Sequence, residues 1–363
     1  MSNLVKLDDS LEEKLKLIRT ERYACQSVAR KALPSERVSM CLRRINGDHV
    51  AVRKHRKTGK GFYSGLLVCG SVWHCPVCAA KISERRRKEL EIAFSEFQKE
   101  GGFISMLTLT FSHERTDRLK DILYSFGQAT QKFMSGRAFN NIRNEIGLIG
   151  RVRVLEVTHG DNGFHPHAHI ALFHENEIDL DDIRFKMYDL WEKACNKVGL
   201  KTSFEYGLDL QSAEEAERYM SKHGTWSLEQ ELSKSHIKKG KLGSLTPFDF
   251  LRMYLKTEEE KYIHLYREYA TYFKGKRQVQ WSPGLKKRFV LEDKTDEELA
   301  EEKIEEADLL GLVGYDNWKL ILKYELRTIL LDNVEKHGFE EGLYMTLMNT
   351  KKRKKLDSPV NLN

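Results

Sequence analysis

Proline is scarce, 6 among 363 residues, and glycine is ordinary at 24. This excludes collagen-like and proline-rich chains. Long apolar runs are missing too. The longest, around Phe103–Phe111, is the size of a strand and far short of the ~18 residues that a membrane span requires. The opening stretch, MSNLVKLDDSLEEKLK, is acidic and polar and lacks the apolar heart of a secretory signal. These absences lead us to expect a soluble, cytoplasmic protein with no membrane partner. What is present is an apolar fraction of 40% beside 32% charged residues. That is enough to bury a core in more than one domain and to exclude wholesale disorder.

The formal net charge is +7, but it is unevenly spread. Between Arg30 and Leu90, 15 Lys/Arg stand against 4 Asp/Glu; from Lys234 to Arg288 the ratio is 14 to 5; from Leu291 to Leu310 it reverses to 2 against 10. Two basic segments of this size suit a polyanionic partner. The second is interleaved with Phe248, Phe250, Tyr254, Tyr262, Tyr266, Tyr269, Tyr272, Phe273 and Trp281. Cations that neutralise phosphates and rings that stack on bases suit single-stranded nucleic acid. The other reading of the same pattern is a solvated helical face over an aromatic core. Arg85, Arg86 and Arg87 in the first segment, and Lys276, Arg277 and Trp281 in the second, are the candidate DNA contacts.

Six cysteines occur, and a large charged chain does not need them as disulfides. Cys75-Pro-Val-Cys78 is a C-x-x-C knuckle, with Cys69 and Cys41 upstream. Four thiolates suffice for a closed structural zinc site. His49, His55 and His74 are substitute ligands, and a redox pair or buried free thiols are the alternative.

The periodicity sets out five segments: an N-terminal helix in 1–30, opened by the capping-box pattern Ser10-x-x-Glu13; a basic Cys-rich module with a following helix in 30–100; a central domain in 101–230; a basic, aromatic-rich segment in 231–290; and an acidic, then helical, region in 291–363 that ends in a basic tail. Within the central domain the expected order is a strand at 103–111, a helix at 114–135, strands at 151–158 and 164–173, a helix at 179–198, a strand at 203–210 and a helix at 212–223. The first six elements follow the ferredoxin-like β-α-β-β-α-β order. The fold class is therefore α+β, with an antiparallel sheet carrying helices on one face.

The strand Phe164-His-Pro-His-Ala-His-Ile-Ala-Leu-Phe173 is the most informative stretch. Strand side chains alternate, so His165, His167 and His169 share one face while Phe164, Pro166, Ala168, Ile170 and Leu172 point into the core. Histidines two apart on a rigid strand can share a divalent ion. If the Gly160–Gly163 turn centres a hairpin, Glu156 lies opposite His167 on the same face. Two histidines and a carboxylate form a mixed site with open positions, suited to Mn²⁺ or Mg²⁺ at a phosphate. A register slip of one residue would turn Glu156 away. Further on, Glu215, Tyr219 and Lys222 share one face of a helix. A phenol can attack phosphorus if a cation stabilises its charge, and Lys222 could do so. Ser212-x-x-Glu215 also fits a capping box.

Three stretches, Phe103–Thr110, His167-Ala168-His169 and Tyr219-x-x-Lys222, stand in the order of the three motifs of HUH endonucleases. The chain resembles the plasmid rolling-circle replication initiators with a single tyrosine. Leu155-Glu156-Val-Thr158, Glu215 and the run Arg277–Lys286 fit that subgroup. The resemblance covers roughly 65–290, and the extra His165 departs from the two-histidine pattern and leaves open which pair of histidines binds the metal, so His165 is a fourth candidate ligand. It implies a metal-dependent endonuclease acting on single-stranded or hairpin origin DNA, with a host helicase as partner. In that scheme His167, His169 and Glu156 hold the ion, Tyr219 forms a 5′-phosphotyrosyl link, and Glu215 activates water to end replication. Insertion-sequence transposases of the same superfamily, and a zinc-dependent DNA-binding regulator without nuclease activity, are the alternative readings.

Overall fold

The computed structural model describes residues 9–212, 244–301 and 304–357. In chain order the elements are α1 (Asp9–Ala32), β1 (Val50–His55), β2 (Gly61–Ser64), α2 (Pro76–Lys99), β3 (Phe103–Leu109), α3 (Leu119–Phe133), α4 (Arg137–Glu145), β4 (Leu148–Gly160), β5 (Gly163–His174), α5 (Leu180–Asn196) and β6 (Leu208–Gln211). They continue with α6 (Pro247–Thr257), α7 (Glu260–Phe273), β7 (Val279–Trp281), α8 (Leu285–Arg288), α9 (Asp296–Ala300), β8 (Ala307–Val313), α10 (Tyr315–Lys323), α11 (Arg327–His337) and α12 (Phe339–Asp357). The result is a mixed α+β chain with antiparallel sheets. No helix among the described residues is long and apolar enough to cross a membrane.

The chain divides into two compact units, one made of the residues up to Ala79 together with those from Thr295 on, the other of Ala80–Lys294. The first unit is built from both ends of the chain, and the segments 30–100 and 291–363 read from the sequence are each divided between the two units. Its sheet runs β2-β1-β8. β8 lies in the acidic stretch that showed no strand pattern; pairing with β1 orders it, and Val50, Ala51 and Val52 are buried there. α1 runs on to Ala32 and stops before Leu33-Pro34, since a residue preceding proline disfavours the helical region. Arg19 on α1 is paired with Asp332 and, at 2.6 Å, with Glu335 on α11, which ties the C-terminal helices to the N-terminal one.

The second unit holds a five-stranded antiparallel sheet in the order β6-β3-β5-β4-β7. β4 and β5 form the expected hairpin, with Gly160 opposite Gly163 and Glu156 opposite His167. Gly163 has φ +86°, a left-handed conformation that favours glycine. The even-numbered side of β5 (Phe164, Ala168, Ile170, Leu172) is buried on the side of α3 and α5, where Phe126, Phe133 and Trp191 pack edge to face. The expectation of helices on one face needs correction. α2 carries Leu90, Ala93, Phe94 and Phe97 at helical i, i+3, i+4, i+7 spacing, and they bury against Met106, Val152, Val154, Ala171 and Phe173 on the other face. α2 therefore covers one end of the histidine face. The fourth strand also starts later than expected, at Leu208, because residues 204–206 form a turn. α4 and β7 had no counterpart in the sequence reading.

Candidate functional site

β5 carries His165, His167 and His169 on the end of the sheet face that α2 leaves uncovered. The structure brings Glu156, His167 and His169 together, with one possible ligand atom from each lying within 4.8 Å of the others. His167 Nε2 is 3.5 Å, and His169 Nε2 3.9 Å, from Glu156 Oε2. These gaps are too long for good hydrogen bonds and short enough for one divalent ion to bridge. Glu156 and His169 are 7% and 3% exposed, so their charges and lone pairs cannot be left to water.

The outer nitrogens fix the rings. His167 Nδ1 lies 3.0 Å from the His165 carbonyl, which can only accept, so Nδ1 carries the proton and the Nε2 of the neutral ring aims a lone pair at Glu156. His169 Nδ1 is held by Thr108 Oγ1 at 3.0 Å. Such outer partners are what orient metal-ligating imidazoles. Burial pulls the His167 pKa down, but the nearby Glu156 carboxylate, through its long polar contact and its charge, outweighs this and raises it overall. The site thus calls for a cation between ring and carboxylate, whether a proton or a metal ion.

His165 stands apart from this group. Its Nε2 meets Thr110 Oγ1 at 2.9 Å and its Nδ1 meets His113 Nδ1 at 3.2 Å, with the two rings stacked 4.8 Å apart. Burial, together with the neighbouring His167 and His113, drives the His165 pKa down to about 3, so it is a neutral packing partner. Thr108 and His113 escaped the sequence reading. The signal for Thr108 was its place in the alternation of β3, but β3 and β5 are not joined by a hairpin, so no turn fixed their register.

In the first unit, Cys41, Cys69, Cys75 and Cys78 form a second cluster, all four buried. Sulfur separations are 3.5 Å for Cys41–Cys78, 3.6 Å for Cys69–Cys78 and 3.8 Å for Cys75–Cys41. A tetrahedral ion with metal–sulfur distances of ~2.3 Å leaves ~3.8 Å between sulfurs. The knuckle opens α2: Pro76 is its first residue, and the amides of Cys78 and Cys69 point at Cys75 Sγ (3.5 Å) and Cys41 Sγ (3.4 Å). Hydrogen bonds with Cys41, Cys75 and Cys78 hold the Cys69 thiol well above its usual pKa range, and burial adds to this. Burial pushes Cys75 up as well, but the hydrogen bonds with Cys41, Cys69 and Cys78 outweigh it and hold this thiol well below the usual range. His49, His55 and His74 are not members of it.

Behind the cysteines, Gln26 Nε2 donates to Cys75 Sγ at 3.3 Å, while its Oε1 accepts from Arg327 Nη1 at 2.8 Å. Arg327, only 2% exposed, also donates to the Leu42 carbonyl at 3.2 Å. Arg327→Met should lower the unfolding midpoint, because it strips two buried acceptors of their donor at about 1–3 kcal/mol each. Thermal unfolding followed by circular dichroism measures this.

The DNA-contact candidates are scattered. Arg87 is engaged by Glu84 at 2.9 Å and by Glu91, with Arg85 and Arg86 beside it on α2. Lys276 and Arg277 are exposed ahead of β7. Trp281, in β7, is partly buried against the α2 side of the core. Of the nine rings in the basic segment, Phe248, Phe250, Tyr266, Tyr269 and Phe273 are buried, so for these the aromatic-core reading holds over base stacking. Glu215, Tyr219 and Lys222 lie outside the described residues.

With both clusters placed, comparison with known proteins gives the class. The model of the replication protein family matches residues 67–328, and the chain belongs to that family. It is similar to Protein rep of Streptomyces lividans, 26% identical over 301 residues that cover 64% of this chain and 66% of that protein. It is also similar to the Neomycin resistance protein of Streptomyces cyanogenus, 32% identical over 130 residues, 29% of this chain and 30% of that protein. The chain thus spans about two thirds of the first relative's length and under a third of the second's. No solved structure matches.

Proposed function

We propose that this protein initiates plasmid rolling-circle replication as a single-tyrosine HUH endonuclease, nicking one strand of its origin and later resealing or releasing it. The observation that carries this reading is the meeting of Glu156, His167 and His169 at one point on an antiparallel sheet. The strand order supports it. β5 lies between β3 and β4, and β3 lies between β5 and β6, so each strand–helix–strand pair is split by one inserted strand, as in the ferredoxin-like pattern. Membership of the replication protein family points the same way.

In this mechanism His167, His169 and Glu156 would hold Mg²⁺ or Mn²⁺, which would supply Lewis-acid stabilisation of the charge on the scissile phosphate. Thr108 and the His165 carbonyl keep the two imidazoles aimed. The Tyr219 oxygen attacks phosphorus, the P–O3′ bond breaks, and the chain is left with a 5′-phosphotyrosyl link and a free 3′-OH primer. Lys222 stabilises the phenolate. At the end of a round, Glu215 takes a proton from water, where a second tyrosine would restart the cycle. The four cysteines hold a structural zinc. A host helicase opens the duplex ahead of the primer, and the strand reaches the site single or looped out of a hairpin.

Incubation with a supercoiled plasmid carrying the protein's own origin, plus Mn²⁺, tests the proposal. Open circles with covalently attached protein are expected. Tyr219→Phe should give no adduct; an adduct of undiminished yield would remove Tyr219 from this role.

A further inference from the structure

Arg151 and Arg153 are two apart on β4, so they project from the same face, roughly 7 Å from each other along the strand. That face is opposite Glu156. Val152 between them buries toward α2, while Arg151 and Arg153 stand beside Leu172 and Ile170. Arg143, exposed on α4, adds a third charge that acts on Arg151. Burial lowers the pKa of both strand arginines, and each also feels the charge of the arginine before it, with no carboxylate offsetting this.

The surroundings explain the imbalance. β4 has one acidic residue, Glu156, and it faces the other way. β5 and β7 have none. The single carboxylate of α4, Glu145, is taken by Lys186 at 2.5 Å. Among the described residues, Arg153 Nη2 bonds only a neutral group, Gln280 Oε1 at 3.0 Å, and its buried Nε has no partner. Like charges gathered on a half-buried strand, with the acids of β4 and α4 directed elsewhere, leave a row of donors that an external anion completes.

We infer that Arg143, Arg151 and Arg153, with Gln280 beside them, form a strip that binds the sugar–phosphate backbone of double-stranded DNA. A duplex is chosen over a single strand because the strip presents cations and an amide without a stacking ring: Trp281 packs on the opposite face. Single-strand grooves combine cations with aromatic platforms, whereas backbone contacts alone position a duplex. The inference rests on the reading of this chain as a DNA-processing protein and adds a place for duplex outside the metal centre.

The test is the salt dependence of binding to a 25-base-pair origin duplex, for the wild type and for Arg151→Gln/Arg153→Gln. The double Gln variant leaves two phosphates unneutralised, at ~0.9 each, so the log–log slope should become shallower by about 1.8. The advantage of the wild type should then shrink about tenfold between 50 and 200 mM salt. Arg151→Lys/Arg153→Lys keeps the charges and should keep the slope, which separates the removal of charge from a damaged fold. An unchanged slope in the Gln pair, or a Lys pair as impaired as the Gln pair, overturns the strip. A slope lowered only on a single-stranded oligonucleotide would reassign it and overturn the duplex assignment. Binding is read here without cleavage, so a chain that binds through the strip and never nicks would defeat the nuclease proposal alone.

Discussion

His167→Ala abolishes nicking while leaving origin binding near the wild-type level: this is the result expected if the strand cluster is the catalytic centre. Removing one of three ligands takes away an ion worth several kcal/mol of transition-state stabilisation. At 1.36 kcal/mol per decade that is roughly a 10³-fold loss of rate. His169→Ala should behave alike. His165→Ala is the informative control, because the two ring nitrogens of His165 are committed to Thr110 and His113. What His165 offers His167 is its backbone carbonyl, which alanine keeps. Its loss should stay within about tenfold, the lower range for an outer partner of a metal ligand. Single-turnover nicking against Mn²⁺ concentration, with DNA affinity measured in parallel, decides the matter. Normal nicking by His167→Ala at ordinary metal concentration would end this assignment.

The second large effect concerns the cysteines. Cys75→Ser should reduce zinc content from one ion per chain to none and unfold the unit built from the two chain ends. Structural zinc contributes about 10–16 kcal/mol to small modules, as much as or more than the ~5–15 kcal/mol by which whole domains are stable. Metal analysis of freshly purified protein, together with limited proteolysis, reports both quantities. A metal-free wild type that resists protease would assign the cluster to buried thiols. Cys195, buried on α5 in the other unit with its thiol pushed up to about 12 by burial and by Glu192, serves as the silent comparison.

What could be read ahead of the structure followed how local each feature is. The hairpin register came from a turn of two residues flanked by glycines, and it placed Glu156 against His167 correctly. The knuckle Cys75–Cys78 pointed to two more thiols, and both are there. Alternation separated the three histidines from Phe164, Ala168 and Ile170, which lie in the core. Non-local features were not legible. Thr108 reaches His169 only through the pairing of β3 with β5, across more than fifty residues of chain. β8 is a strand because β1 accepts it, although the stretch leading into it is dense in acids. Gln26 and Arg327 gave no sign of touching the cysteines, since helix periodicity says which face is buried and not what it meets. α2 shows the same limit: the helix was legible, but not the sheet that receives it.

The two-ended build of the first unit also sets a timetable during synthesis. Cys41 through Cys78 leave the ribosome about 230 residues before β8 arrives to pair with β1, and Arg327 follows later still. At translation speeds of ~5–20 residues per second that interval is roughly 10–50 s. Throughout it the middle unit, whose strands are contiguous in the chain, can already fold, while the thiols wait exposed without Arg327 behind Gln26 or the third strand of their sheet. Closure of this unit is therefore among the last events in the synthesis of the chain, and a message truncated anywhere before β8 yields a chain whose cysteines lack the third strand of their sheet.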